Sequence, residues 1–193
     1  MNSESIPEYK IILASNSSIR QKILEDSGIS FEVVPSEVEE EELKQSLSGN
    51  NFREYCLTLA KAKALDVSNK KKNAYVIGSD QICSYGEEIF SKPLTKENCF
   101  KTLSKLSGNT HYQNCGISIC KNGKEIWSHY AQAALTMKSL SDTEIRDYID
   151  KDEPFMACGA YRFESLGKDL FLTTKGDETC LLYTSPSPRD SSE

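Results

Sequence analysis

An α/β fold is what this sequence predicts. Short apolar runs alternate with helical stretches, a Gly/Asn/Pro signal closes most of them, and the cationic and hydroxyl side chains cluster where strands hand over to helices. The 193 residues, 38% of them hydrophobic and 9% aromatic, suffice for one domain or two small lobes sharing a core. Twenty-three basic against 29 acidic side chains leave a formal charge of -6. That balance argues against a nucleic-acid polymer or an anionic membrane as partner, so an anionic ligand has to meet a local basic cluster. No apolar run approaches membrane-spanning length, and the MNSESIPEYK start has no signal-peptide pattern, so a cytoplasmic location is expected. The seven cysteines form no CxxC pair and stand with only two histidines, which fits reduced, mostly buried thiols better than a zinc site.

The elements follow in order. Lys10 to Ala14 is too short for a helix and reads as a buried strand. The next helix begins at Ser17 or Ser18, either of which caps it, and stops at Gly28. "ISFEVVPS" is a second strand closed by Pro35, and the acidic run Glu37 to Glu42 is a loop leading into a helix. From Asn51 to about Asp66 the apolar spacing is helical, with Phe52, Cys56 and Leu59 on one face. On that wheel Lys63 falls with the apolar residues and Lys61 falls nearly opposite, so Lys63 points inward and Lys61 to solvent. "AYVIG" is a buried strand ending in Ser79, Asp80 and Gln81. A helix covers Lys96 to Leu106, before Gly108. "CGISIC" and "EIWSHYAQAALTM" flank Asn122-Gly123, the dipeptide of a tight type I′ hairpin. Ser141 and Glu144 form a capping box that opens a helix ending before Pro154.

Some of these positions carry chemistry. The corner "LASNSSIRQKIL", Leu13 to Leu24, aims hydroxyls and backbone N–H groups at one point where the helix dipole favours negative charge. It suits a phosphate, although Ser17 and Ser18 would serve equally as plain helix caps. Arg20 in the first turn opposes the dipole, a cost that a bound anion would offset. Asp80 at a strand end requires a partner, a metal or a proton, or else is a simple turn residue. Glu40 alone reads as part of a solvated acidic face, and Lys92 in "SKPL" as an extended residue before proline. His111 and His129 lie in polar, strand-like surroundings. No serine-hydrolase elbow, zinc-protease motif or dinucleotide fingerprint occurs. Hydroxyls, cations and carboxylates remain, a set suited to phosphate chemistry with a divalent ion.

"LASNSSIRQKIL", "FEVVPSEVEE", "LAKAKA", "VIGSDQIC", "SKPLTKENC", "LSGNTH" and "ACGAYRFESLG" together resemble the Maf family of nucleotide pyrophosphatases, in order and spacing, over about Lys10 to Thr179. The resemblance implies an elongated α/β fold with a central mixed sheet flanked by helices and a central nucleotide cleft, a nucleoside triphosphate substrate, a divalent metal (Mg or Mn) and a homodimer. It places Ser15, Ser17, Arg20, Lys63 and Lys92 around the substrate phosphates. Asp80 becomes the proton acceptor, with Glu40 and Asp80 as metal ligands, and Ile19, Gln81 and Glu164 set specificity. The Gly-Ser-Asp-Gln run and Glu164 resemble the branch acting on 7-methyl-GTP, whereas the dTTP/UTP branch carries threonine after the aspartate. Ser18 departs from the family's proline, and Ile19 from a common tryptophan. A septum-formation regulator that binds nucleotide without turnover is the rival from another functional class. The domain is expected to span residues 1–179. Residues 180–193, "CLLYTSPSPRDSSE", resemble a translated sequencing adaptor and are expected to be a non-native tail replacing the family's last helix.

Overall fold

In the computed structural model, residues 9–40, Leu43, Leu47 and 51–176 are described. The predicted non-native tail lies outside them. They form a seven-stranded mixed sheet with four α-helices and one 3₁₀ turn among the described residues.

The first strand, β1 (Ile11–Leu13), runs into helix α1 (Ser18–Asp26), whose cap is Ser17: its side chain accepts from the Arg20 N–H. Gly28 follows the helix with φ of +71°, the left-handed conformation that favours glycine. Strand β2 (Glu32–Val33) is shorter than predicted. Helix α2 (Phe52–Lys70) starts at its Asn51 cap and runs past Asp66 to Lys70.

Strand β3 (Tyr75–Tyr85) differs most from expectation. Asp80 stands in the middle of it rather than at its end. The strand continues because it pairs with β5 (Thr110–Lys121) from Val76 to Ser84 and, beyond Asp80, gains the antiparallel β4 (Glu88–Phe90) on its other edge. On that edge β1 pairs parallel with Tyr75–Ile77 only, and β4 with Cys83–Tyr85 only. The parallel neighbour therefore ends just before Asp80, which is the crevice where open α/β sheets hold ligands.

Helix α3 (Lys96–Leu106) and the Asn122-Gly123 hairpin joining β5 to β6 (Lys124–Met137) form as predicted, both hairpin residues having positive φ. The capping box opens α4 (Asp142–Asp152). A 3₁₀ turn (Leu166–Leu170) and strand β7 (Phe171–Gly176), which closes the β6 edge, were not legible in the sequence.

Two apolar clusters result. One gathers Ile12, Ala64, Val67, Ala74, Val76 and Cys120 around β1, α2 and the start of β3. The other gathers Cys83, Phe90, Leu103, Leu135, Ile149 and Tyr161 around the far end of β3 with α3 and α4. Asp80 lies in the stretch of β3 between them. Of the six described cysteines five are buried and all are free thiols, as predicted.

Candidate functional site

The centre of the site is built by two glycines. A Cβ on Gly78 would sit 2.2 Å from the Ala60 carbonyl oxygen, and one on Gly116 would sit 2.5 Å from the Cys56 backbone. Their absence lets α2 lie directly on β3 and β5. Gly116 is the register partner of Asp80, and Gly78 shares its face of the pleat. Lys63, between Ala60 and Ala64 on the buried side of α2, is thereby held over Asp80. Its Nζ donates to Asp80 Oδ1 at 2.7 Å and lies 2.9 Å from Glu40 Oε1. The Lys63 and Asp80 side chains are about nine-tenths buried (11% and 10% exposed), whereas Glu40 is 40% exposed. The inward Lys63 of the helical wheel is thus the common partner of both carboxylates. Lys61 is exposed and pairs with Glu125 at 3.0 Å.

The serine corner that follows β1 closes on itself. The Ala14 N–H donates to the Ile77 carbonyl, after which the chain leaves β3 at Ser15. Ser15 Oγ accepts from the Ser17 N–H at 3.2 Å and from Arg20 Nη1 at 3.1 Å. The first turn of α1 carries no carboxylate, and Arg20 has further N–H groups in its fork for an anion. Ile19 is half-buried on the same turn.

Gln81 and Glu164, expected to set specificity, lie elsewhere. Gln81, next in the pleat, projects from the face of β3 opposite Asp80. Its Nε2 donates to Gln113 Oε1 at 3.2 Å, and Gln113 Nε2 donates to the Tyr161 hydroxyl at 2.6 Å. Glu164 lies 3.5 Å from Arg162 Nε. Burial, partly opposed by Arg162, holds its carboxyl above the usual carboxylate range. The loop carrying it is tied down by Asp152, which accepts from the Tyr148 and Ser165 hydroxyls at 2.7 and 2.5 Å. Lys92 is exposed in the link from β4 to α3 and is not brought to the triad: it makes no hydrogen bond or ion pair with the described residues.

His111 corrects the sequence reading. It is fully buried, with Nε2 2.9 Å from the Tyr161 hydroxyl, and burial pushes its pKa down to about 4. Alternation along "HYQNCGI" places His111 and Gln113 with Cys115 and Ile117 on one face. Two polar residues on an apolar face were the available sign of a buried network.

The chemistry of the carboxylate pair suits a hard divalent cation. Asp80 and Glu40 offer oxygen donors on one surface, and a Mg²⁺ ion takes one or two carboxylates together with substrate phosphates. No group of three or more His, Cys, Asp or Glu gathers for a metal among the described residues.

The family model described as "Maf-like protein" matches residues 10–182. A nucleoside triphosphate pyrophosphatase of Legionella pneumophila (strain Corby) is 39% identical over 180 residues, 93% of this chain and 90% of that protein. A 7-methyl-GTP pyrophosphatase of Brucella abortus biovar 1 (strain 9-941) is 38% identical over 172 residues, 87% of this chain and 86% of that protein. Among solved structures, a HAM1 protein from Coxiella burnetii matches with a TM-score of 0.45 and 21% identity, over 67% of this chain and 72% of that one. The sequence match runs through the serine corner, the triad and the Glu164 loop, and the chain belongs to the Maf family.

Proposed function

We propose that this Maf-family nucleoside triphosphate pyrophosphatase acts on 7-methyl-GTP, releasing 7-methyl-GMP and pyrophosphate. The observation that carries the reading is the buried Lys63 bridge between Asp80 and Glu40, beside a serine corner with an arginine in its first turn. That arrangement sets a carboxylate base next to a place for phosphates.

In this reading the Ser15–Ser17–Arg20 corner and Lys63 bind the triphosphate and balance its charge. Lys92 joins them from the exposed link. Asp80 takes a proton from water as the oxygen adds at the α-phosphorus. The bond from that phosphorus to the bridging oxygen breaks, and pyrophosphate leaves with its negative charge facing Arg20 and Lys63. Asp80 and Glu40 are the residues that would hold Mg²⁺ or Mn²⁺, which when bound supplies charge neutralisation on the phosphates.

Gln81 and Glu164 select the base. A carboxylate accepts from guanine N1–H and N2–H₂, two adjacent donors that uracil and thymine lack, and it favours the positive ring of a 7-methylated guanine. The Brucella relative's name supports this substrate, while the Legionella relative's name gives only the reaction class. The full chain should be offered 7-methyl-GTP, GTP, dTTP and UTP with Mg²⁺ or Mn²⁺, scoring pyrophosphate separately from phosphate. Preferential pyrophosphate release from 7-methyl-GTP is the expected result. A preference for dTTP or UTP would overturn the substrate and keep the reaction.

A further inference from the structure

The amide of Gln81 does not choose its own orientation. Its Nε2 donates to Gln113 Oε1, whose own Nε2 donates to the Tyr161 hydroxyl. That hydroxyl is also 2.9 Å from His111 Nε2. His111 Nδ1 is buried without a partner, which is far less costly as a bare acceptor than as an orphaned N–H. The favoured tautomer therefore carries its proton on Nε2 and donates it to Tyr161. The Tyr161 oxygen thus takes two N–H donors, His111 Nε2 at 2.9 Å and Gln113 Nε2 at 2.6 Å. Gln113 accordingly faces Tyr161 with its NH₂ and Gln81 with its carbonyl. The Gln81 NH₂ is engaged in turn, and its Oε1, which has no partner among the described residues, is the group left for a ligand.

We infer that Gln113 is a positioning residue for base selection, locking Gln81 as a hydrogen-bond acceptor toward the nucleobase. The inference rests on the reading of Gln81 given above and deepens it. Gln81 and Glu164 both become acceptors, matching a base edge that presents neighbouring donors, as guanine does. Gln113 and Tyr161 are buried with relative exposures of 2%, so they act through Gln81 rather than by touching the nucleotide.

Equilibrium binding separates this role from a purely structural one. The full chain and its Gln81→Leu, Gln113→Leu and doubly substituted forms should be titrated with 7-methyl-GTP and with UTP by calorimetry in EDTA, after far-UV circular dichroism confirms folding. Gln113→Leu should lower the ratio of the two affinities about fivefold to tenfold, the equivalent of one hydrogen bond. Gln81→Leu should lower it as much, and the double substitution no further. Should Gln113→Leu not fold, Tyr161→Phe keeps the ring and removes the hydroxyl that anchors Gln113, and carries the same expectation. A ratio lowered by Gln81→Leu and unmoved by Gln113→Leu, or by Tyr161→Phe in its place, overturns the inference and leaves the Gln81 reading standing. A ratio unmoved by Gln81→Leu overturns both.

Discussion

Lys63 holds two carboxylates with one ammonium, and its burial makes the arrangement costly to break. Lys63→Met would leave Asp80 buried without its cation, a change that typically destabilises by about 3 kcal/mol or more. Lys61→Met, two residues away on the exposed side, should change stability by about 0.5 kcal/mol or less, since an exposed pair contributes little. Urea unfolding midpoints of the two variants test the contrast. Asp80→Asn keeps the size of the side chain and removes the base, so pyrophosphate release should fall by at least about a hundredfold with nucleotide binding retained. Full turnover in that variant, measured by pyrophosphate release, would remove Asp80 from the reaction. Lys63 was legible because a helical wheel sorts inward from outward side chains using neighbours alone. Gln113 was not, because its partner Tyr161 lies 48 residues further along the chain.

Elements with their own punctuation were readable from the sequence, and those defined by a neighbour were not. The Ser17 cap with Gly28, the capping box of α4 and the Asn122-Gly123 turn all carry their boundaries locally. Strand β3 was cut short in the reading because polar Ser79, Asp80 and Gln81 interrupt its apolar run. In the fold these residues are kept in the strand by β5 on one edge and by α2 above. Strand β7 exists by docking on β6, an event without a local signal. The contact between α2 and the sheet depends on glycine. Gly78→Ala would drive a methyl carbon to within 2.2 Å of the Ala60 carbonyl oxygen, forcing the helix away from the strand. A loss of about 1–3 kcal/mol is expected from such overpacking, readable in the urea midpoint. Pyrophosphate release should fall as well, because the same displacement carries Lys63 off Asp80.

For the molecule as a whole, acid is a specific vulnerability. His111 is fully buried and keeps its neutral form down to about pH 4, whereas in the unfolded chain it titrates at the ordinary imidazole value of 6.5. Between those values the unfolded state binds more protons, so stability falls as pH drops through that window and holds above it. The loss amounts to about 3 kcal/mol at full extent. Urea unfolding at pH 7.5 and pH 4, set against His111→Leu, measures it: the wild-type chain should lose about that much more than the variant. The α/β class was legible because alternation and punctuation survive in any single chain, and the mixed sheet came with the family motifs. The division of the core into two clusters was not, since it depends on which edge of β3 each neighbour occupies. That division has a further consequence. Val76 and Cys120 belong to one cluster and Cys83 and Cys115 to the other, yet Val76 and Cys83 share strand β3, and Cys120 and Cys115 share strand β5. Neither half can be dismantled without pulling the other's backbone ladder apart, so Asp80, on the stretch of β3 that joins them, keeps its place only while both halves stay folded.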